Sequence, residues 1–249
     1  MTGPLDNLRV VLVGTRNPLN LGAAARAMNN FGAAHLRVVN PYEAAFREAR
    51  SAVGAAELLA RAEEYGSVAE AVADCRLVVG TTAAGRRELQ HDLCGLEEGG
   101  RRIRSKLRSG RVALLFGSEK VGLSNRDMSH CHWLLRIPTR AEHGSMNLGQ
   151  AVAVCMYELV RTGKIAPGKK KSKGEETRAR AGDVERLTGL LLEVLGVSGY
   201  VKPRVAAATA EKLRRMVRRL NLSAADAEVW LGMVRQIAWK LGASEEGPR

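Results

Sequence analysis

The sequence predicts an α/β protein with a mostly parallel sheet, followed by a small all-α unit. Three observations lead there. Short apolar runs recur at 9–13 (RVVLV), 35–40 (HLRVVN), 75–80 (CRLVVG), 111–116 (RVALLF) and 132–137 (HWLLRI), with helical patterns between several of them. Runs without polar alternation suit strands covered on both faces. The composition then breaks from Lys164 to Gly182, where seven basic and two acidic residues stand among Gly, Pro and Ser with no aromatic. Beyond the break, apolar residues return at helical spacing. The predicted units are 1–163, the α/β domain; 164–182, a flexible polybasic linker that includes Lys169, Lys170 and Lys171; and 183–243, a helical bundle.

In chain order, the first strand at 9–13 leads into Gly14–Gly32. There Asn20 can cap a helix, the Ala-rich run favours one, and Gly32 stands where a C′ glycine belongs. Leu21, Ala24, Ala25 and Met28 share one helical face for packing on the sheet, and Arg26 lies outside it. The second strand ends at Asn40-Pro41, and 42–73 read as short Ala-rich helices. The third strand runs into Thr81, Thr82 and Ala83, with Arg86 and Arg87 just beyond, in reach of a phosphate or substrate. From Gly99 to Arg111 stand Arg101, Arg102, Arg104, Lys106, Arg108 and Arg111 with no acidic residue, a one-signed run that suits RNA.

Residues 111–160 organise the rest: strand, loop (GSEKVGLSN), strand, loop (PTRAEHGSMN), helix at 145–162. Loops at the carboxyl ends of parallel strands are where such sheets bind ligands. Gly117 and Gly122 let the first loop approach a ligand closely, with the Glu119 carboxylate between them. Pro138 stops the second strand, and Ser145 and Asn147 precede a helix whose free N–H groups can hold an anion.

In the last unit, Val184, Leu187, Leu190, Leu191 and Val194 form one stripe, and Leu213, Met216, Val217 and Leu220 a second. Ser223 with Asp226 opens a third helix through Trp230, Val234, Ile237 and Leu241. Arg214, Arg215, Arg218 and Arg219 are expected to face away from the second stripe as a basic ridge.

The formal charge of +13 across 249 residues points to a polyanionic partner, and 4% aromatics is too few for single-strand stacking platforms. Recognition of a folded RNA by backbone and shape fits better. No apolar run is long enough for a membrane helix and the start lacks a signal-peptide pattern, so a cytoplasmic protein is expected. Cys75, Cys94, Cys131 and Cys155 form no C-x-x-C pair. The side chains of His130-Cys131-His132 point different ways at a strand start, so no metal site is expected.

The two loops of 111–160 resemble motifs two and three of the SPOUT class of RNA methyltransferases, TrmH-like branch, through Phe116-Gly117, Glu119, Gly122-Leu123, Ile137-Pro138, Ser145 and Asn147. Asn20, Gly22, Ala23 to Ala25 and Arg26 are similar to motif one, and Gly80 to Arg86 to the segment lining the cofactor pocket, although relatives carry an aromatic or proline pair where this chain has Arg87-Glu88. The resemblance implies a deep trefoil knot, S-adenosylmethionine as cofactor and a homodimer with its active site at the interface. It assigns the cofactor to Thr81, Thr82, Ala83, Phe116, Gly117, Glu119, Gly122, Leu123, Ile137, Pro138 and Gly144 to Met146. It makes Arg26 the catalytic residue, with Asn20, Ser145 and Asn147 beside it, and Arg86 a substrate contact.

The arrangement of both units is similar to that of bacterial tRNA 2′-O-methyltransferases acting in the anticodon loop, on a pyrimidine at position 32. Motif one begins at Asn20, too early for the N-terminal RNA-binding domain of related ribosomal RNA enzymes, which favours tRNA. The alternatives are 2′-O-methylation of ribosomal RNA and a catalytically silent RNA-binding protein of the same fold.

Overall fold

The structure, a computed structural model, describes residues 3–41, 54–83, 89–140, 142, 144–161 and 177–242. The first unit alternates β1 (Leu8–Val13), α1 (Pro18–Asn30), β2 (Leu36–Val39), α2 (Ala56–Ala60), β3 (Glu63–Tyr65), α3 (Val68–Ala71), β4 (Leu77–Thr81), β5 (Leu93–Gly95), α4 (Leu96–Leu107), β6 (Val112–Phe116), α5 (Asn125–Met128), β7 (Trp133–Arg136) and α6 (Leu148–Val160). The strands form one sheet in the order β3-β2-β1-β6-β4-β7-β5, and every pair is parallel.

Period-two geometry divides the core between two faces. Leu8, Val10 and Leu12 of β1 join Leu114 and Phe116 of β6 in one cluster with α1, α4 and α6. Val11, Val13, Ala113 and Leu115 point the other way, onto α3 and α5. Two strands differ from the sequence expectation. Glu63–Tyr65 is a three-residue edge strand with no buried residue, and Leu93–Gly95 is an equally short one at the opposite edge, so neither carries an apolar signal. Residues 42–53, the first part of the stretch expected to form short helices, lie outside the described residues.

The first helix begins earlier than predicted. Asn17, not Asn20, is its cap: its side chain accepts from Leu19 N, and Pro18 occupies the first helical position. Gly32 has φ +73° and ends the helix as expected. Asn17→Ala should cost about 1 kcal/mol of stability, measurable as a lower urea midpoint at unchanged slope. An unshifted midpoint would show that Pro18 alone suffices to start the helix.

The last unit comprises α7 (Ala181–Val197), α8 (Ala206–Arg219) and α9 (Ala224–Lys240) around its own core of Val184, Leu187, Leu213, Val217, Ala227, Leu231 and Val234. Its stripes are narrower than predicted. Met216 and Leu220 of the second stripe are exposed, as are Trp230, Ile237 and Leu241 of the third, where Ala227, Leu231 and Ala238 are buried instead. The end of the predicted linker is ordered. Ala179 N donates to Leu222 O within the second unit, and Ala181 N to Cys75 O and Gly182 N to Ala73 O, so the first turn of α7 ties the two units together.

The basic ridge is corrected as well. Arg218 is only 2% exposed, and Arg214 places both Nε and Nη2 within 2.9 Å of Glu185 while donating to Ser129 Oγ of the first unit at 3.2 Å. Arg215 lies near Glu211, and Arg219 alone of the four is exposed. A helix with four arginines in six positions cannot turn them all outward while burying Leu213 and Val217. The neighbouring unit and Glu185 neutralise those turned inward.

Candidate active site

At the carboxyl ends of β4, β6 and β7 the chain encloses a cavity of about 370 Å³. Its wall is built from three loops. After β4 come Thr81, Thr82 and Ala83; after β6 come Phe116, Gly117, Glu119, Gly122 and Leu123; after β7 come Ile137, Gly144, Ser145 and Met146. Of the residues assigned to the cofactor, Pro138 alone is not in the wall, and it is exposed. Met128, Thr139, Leu148 and Ala151 also line the cavity and carry no motif in the sequence. Met128 belongs to a four-residue helix hidden inside the first loop, which its Ser124–Asp127 capping box could have revealed.

Each loop is shaped by a specific local device. Thr81 Oγ1 donates to Leu115 O, tying β4 to β6 where both leave the sheet. Gly122 takes φ +68° and donates its N–H to Ser118 O, closing a tight turn. A Cβ on Gly117 would stand 2.0 Å from the Gly122 carbonyl carbon and 2.1 Å from Leu123 N, so the loop folds back across a glycine that no other residue can replace. Gly117→Ala should therefore lower ligand affinity at this cavity at least tenfold. Titration calorimetry with S-adenosylmethionine checks it, and wild-type affinity would show that the backbone gives way freely.

Side chains join the three motif segments. Asn20 Nδ2 donates to Glu119 Oε1 at 3.1 Å, and Asn147 Nδ2 donates to Asn20 Oδ1 at 2.8 Å. Asn147 Oδ1 in turn accepts from Gly149 N and Gln150 N, capping α6. Asn20 is thus a bridge between the β6 loop and the α6 N-terminus. α1 and α6 approach so closely that a Cβ on Gly149 would lie 2.6 Å from that of Ala23.

Arg26 stands apart. It is exposed on α1 and is not in the cavity wall. Exposed Leu19 on the same helix and Tyr157 on α6 are 78% and 57% accessible.

The other cations predicted for RNA are dispersed. Arg101 and Arg102 are exposed on α4, with Arg102 stacked 4.8 Å over Trp133. Arg104 is buried, donating to the Glu158 carbonyl and carboxylate, so it is an internal tie between α4 and α6 rather than a surface contact. Arg86, Arg87, Lys169, Lys170 and Lys171 lie outside the described residues. His132 Nδ1 accepts from Val78 N, which fixes the ring at the start of β7. Among the described residues no group of three or more His, Cys, Asp or Glu is placed to hold a metal, and no helix is long and apolar enough to cross a membrane.

A wholly parallel sheet with its cavity at the carboxyl strand ends, walled by glycine loops and a helix N-terminus, defines an α/β enzyme with a small-molecule site at that edge. The family described as SpoU rRNA Methylase family matches residues 7–157, and the chain belongs to it. Curated relatives named tRNA (cytidine/uridine-2′-O-)-methyltransferase TrmJ include those of Cronobacter sakazakii, 34% identical over 238 residues, and Photorhabdus laumondii, 32% identical over 235. Each match covers 94% of this chain, and 96% and 97% of the respective relative. Among solved structures, TrmJ from Z. mobilis ZM4 is 29% identical with a TM-score of 0.78, over 91% of this chain and 96% of that one. A probable methylase family protein from Haemophilus influenzae is also 29% identical, with a TM-score of 0.55 over 96% and 98%.

Proposed function

We propose that the chain methylates the ribose 2′-hydroxyl of tRNA with S-adenosylmethionine, at the pyrimidine of position 32 in the anticodon loop. The observation that carries the reading is the cavity itself, two of whose three loops, those after β6 and β7, are tied to α1 through Glu119, Asn20 and Asn147. Relatives named for this reaction match both units of the chain.

The residues present suit the cofactor. Its size falls within ordinary ligand cavities, Leu123, Ile137, Leu148 and Ala151 offer apolar walls for an adenine, and Glu119 and Lys120 supply one charge of each sign for a zwitterion. When bound, the cofactor supplies a methyl group on a positively charged sulfur. The chain must then orient a ribose hydroxyl and ease loss of its proton. Arg26 does not act as a base, because guanidinium stays protonated. It stabilises the developing alkoxide and holds the adjacent phosphate, with the proton passing to phosphate or water. Ser145 and the Asn147-capped helix position the substrate side.

Arg26 lies outside the wall of its own cavity, which supports a homodimer in which it serves the partner's site. The exposed Leu19 and Tyr157 on α1 and α6 provide apolar surface for that interface. The trefoil knot, formed by the loops after β6 and β7, and a cytoplasmic location complete the reading. The test is transfer from labelled S-adenosylmethionine to unmodified total tRNA and, separately, to ribosomal RNA, with the modified nucleosides identified by mass spectrometry. Ribose-methylated nucleoside from the anticodon loop supports the reading, and incorporation into ribosomal RNA alone overturns the substrate.

A further inference from the structure

We infer that the cleft between the two units is a binding site for a phosphoryl oxyanion, at the end of the sheet opposite the cofactor cavity. The cleft is a cavity of about 240 Å³ whose wall includes His91, Asp92, His132, Arg215, Arg218 and Arg219. Three arginines and two histidines thus face one carboxylate. A second cavity of about 580 Å³ shares Asp92 and His132 and adds Arg101, Arg102, Lys106 and Arg178, so the positive surface continues outward from the cleft.

Arg218 is the observation that separates this cleft from an ordinary basic surface. Its side chain is 1% exposed, and its Nη2 reaches Glu185 at 3.4 Å. Its Nε and Nη1 have no hydrogen-bond partner. A buried guanidinium with most of its donors unused is costly, and an oxyanion accepting from them removes the cost. Glu185 does not fill the need, because Arg214 already engages both its oxygens.

His132 fits the same ligand. His132 accepts the Val78 N–H on Nδ1, which leaves Nε2 as the protonated, donating nitrogen. The Nε2 of His91 is buried without a partner. Burial lowers both rings below the usual histidine value, with Arg215 adding to it for His91 and Arg218 for His132, so both are neutral near pH 7. The His132 N–H can still donate to the oxyanion, whereas the neutral His91 ring already bonds the Met128 backbone, so the arginines carry the charge.

The fork of an arginine matches a tetrahedral oxyanion, and a phosphate group matches the number of donors gathered here. His132 and Ile137 bracket β7, so the cleft lies about 16 Å along the strand from the cofactor cavity. A phosphate held here is remote from the reacting ribose. Because the wall draws on both units, occupancy would also fasten the helical unit to the sheet. The source of the phosphoryl group is an RNA backbone or a free phosphate compound. Only the RNA assignment rests on the reading of the preceding subsection.

The test uses the full chain. Thermal unfolding is followed with inorganic phosphate against chloride at matched ionic strength, for wild type and for Arg215→Ala combined with Arg219→Ala. Those two arginines stand outside the Glu185 pair, so the double variant keeps its fold, as circular dichroism verifies. Phosphate is expected to raise the wild-type midpoint by several degrees and to leave the double variant unmoved. No phosphate-specific rise, or an equal rise in both proteins, overturns the site. Filter binding to tRNA distinguishes the sources. A roughly tenfold weaker variant with a salt slope shallower by about 2 assigns the site to RNA backbone. Wild-type RNA affinity with the phosphate response lost assigns it to a free phosphate compound. Neither arm requires methyl transfer.

Discussion

Arg26→Ala is expected to lower methyl transfer by roughly two to four orders of magnitude while leaving the fold and cofactor affinity intact. The residue is exposed on α1 and is not in the cavity wall, so its loss creates no void and removes no cofactor contact. In the proposed mechanism, what disappears is a fixed cation at the place where negative charge develops on the ribose oxygen. Arg26→Lys should recover little of it, because a single ammonium cannot span alkoxide and phosphate as a planar fork does. The measurement is single-turnover methyl transfer at saturating tRNA, with S-adenosylmethionine binding by calorimetry as control. Near-wild-type turnover removes Arg26 from the mechanism. Mixing the Arg26→Ala protein with the Gly117→Ala protein then tests the shared site. If Arg26 serves the partner's cavity, mixed dimers contain one intact site and activity returns. If it serves its own, every site in the mixture is damaged and none returns.

The parts of this site legible in the sequence are those where a residue type has few alternative uses. Gly117 is such a case, since backbone passes where a side chain would stand, and Asn147 is another, since an Asn ahead of an apolar run has a cap to make. Asn20 was marked for the wrong local reason. Its spacing suits a cap, but Asn17-Pro18 three residues earlier takes that role, freeing Asn20 to bridge Glu119 and Asn147. That bridge joins residues about a hundred positions apart, and no local pattern encodes it. The strands Glu63–Tyr65 and Leu93–Gly95 escaped because a short edge strand has little apolar content to display.

The arginines of α8 depart from the sequence expectation for a related reason. Helical periodicity gives the angle of Arg214 and Arg218 relative to Leu213 and Val217, but not what stands opposite. A charged residue beside an apolar stripe faces water in an isolated helix. Here it faces Glu185, Ser129 and His130 at the seam between two units. The same ambiguity applies to Arg104, whose partner Glu158 is more than fifty residues away. Charge patterns predict exposure only when the number of packed layers is known, and that number is a tertiary property.

Glu185 carries the second large expectation. It receives both Arg214 and Arg218, and so joins α7 to α8 within the helical unit, with His130 Nδ1 of the first unit 3.5 Å away. Removing it as Glu185→Ala leaves two inward-facing guanidinium groups without their carboxylate, one of them, on Arg218, only 1% exposed. Breaking such a pair costs about 3–5 kcal/mol, and with a quarter of Glu185 exposed the lower figure applies. The check is urea unfolding, where the midpoint should fall. Replacing the network together, Glu185→Leu with Arg214→Met and Arg218→Met, should recover most of the loss, because apolar side chains of similar size then fill the seam. The pH dependence has a definite sign. Burial pushes the Glu185 carboxyl up, but His130 and Arg214 outweigh it and bring it down to about 2. A carboxylate held below its unfolded value near 4.5 stabilises the fold fully above that value, and loses its contribution as pH falls from about 4.5 toward 2. Wild type should therefore lose stability through that interval more steeply than Glu185→Ala. Parallel curves for the two proteins would show that the arginines are satisfied without Glu185, and that the seam is held by backbone bonds from Ala181 and Gly182 instead.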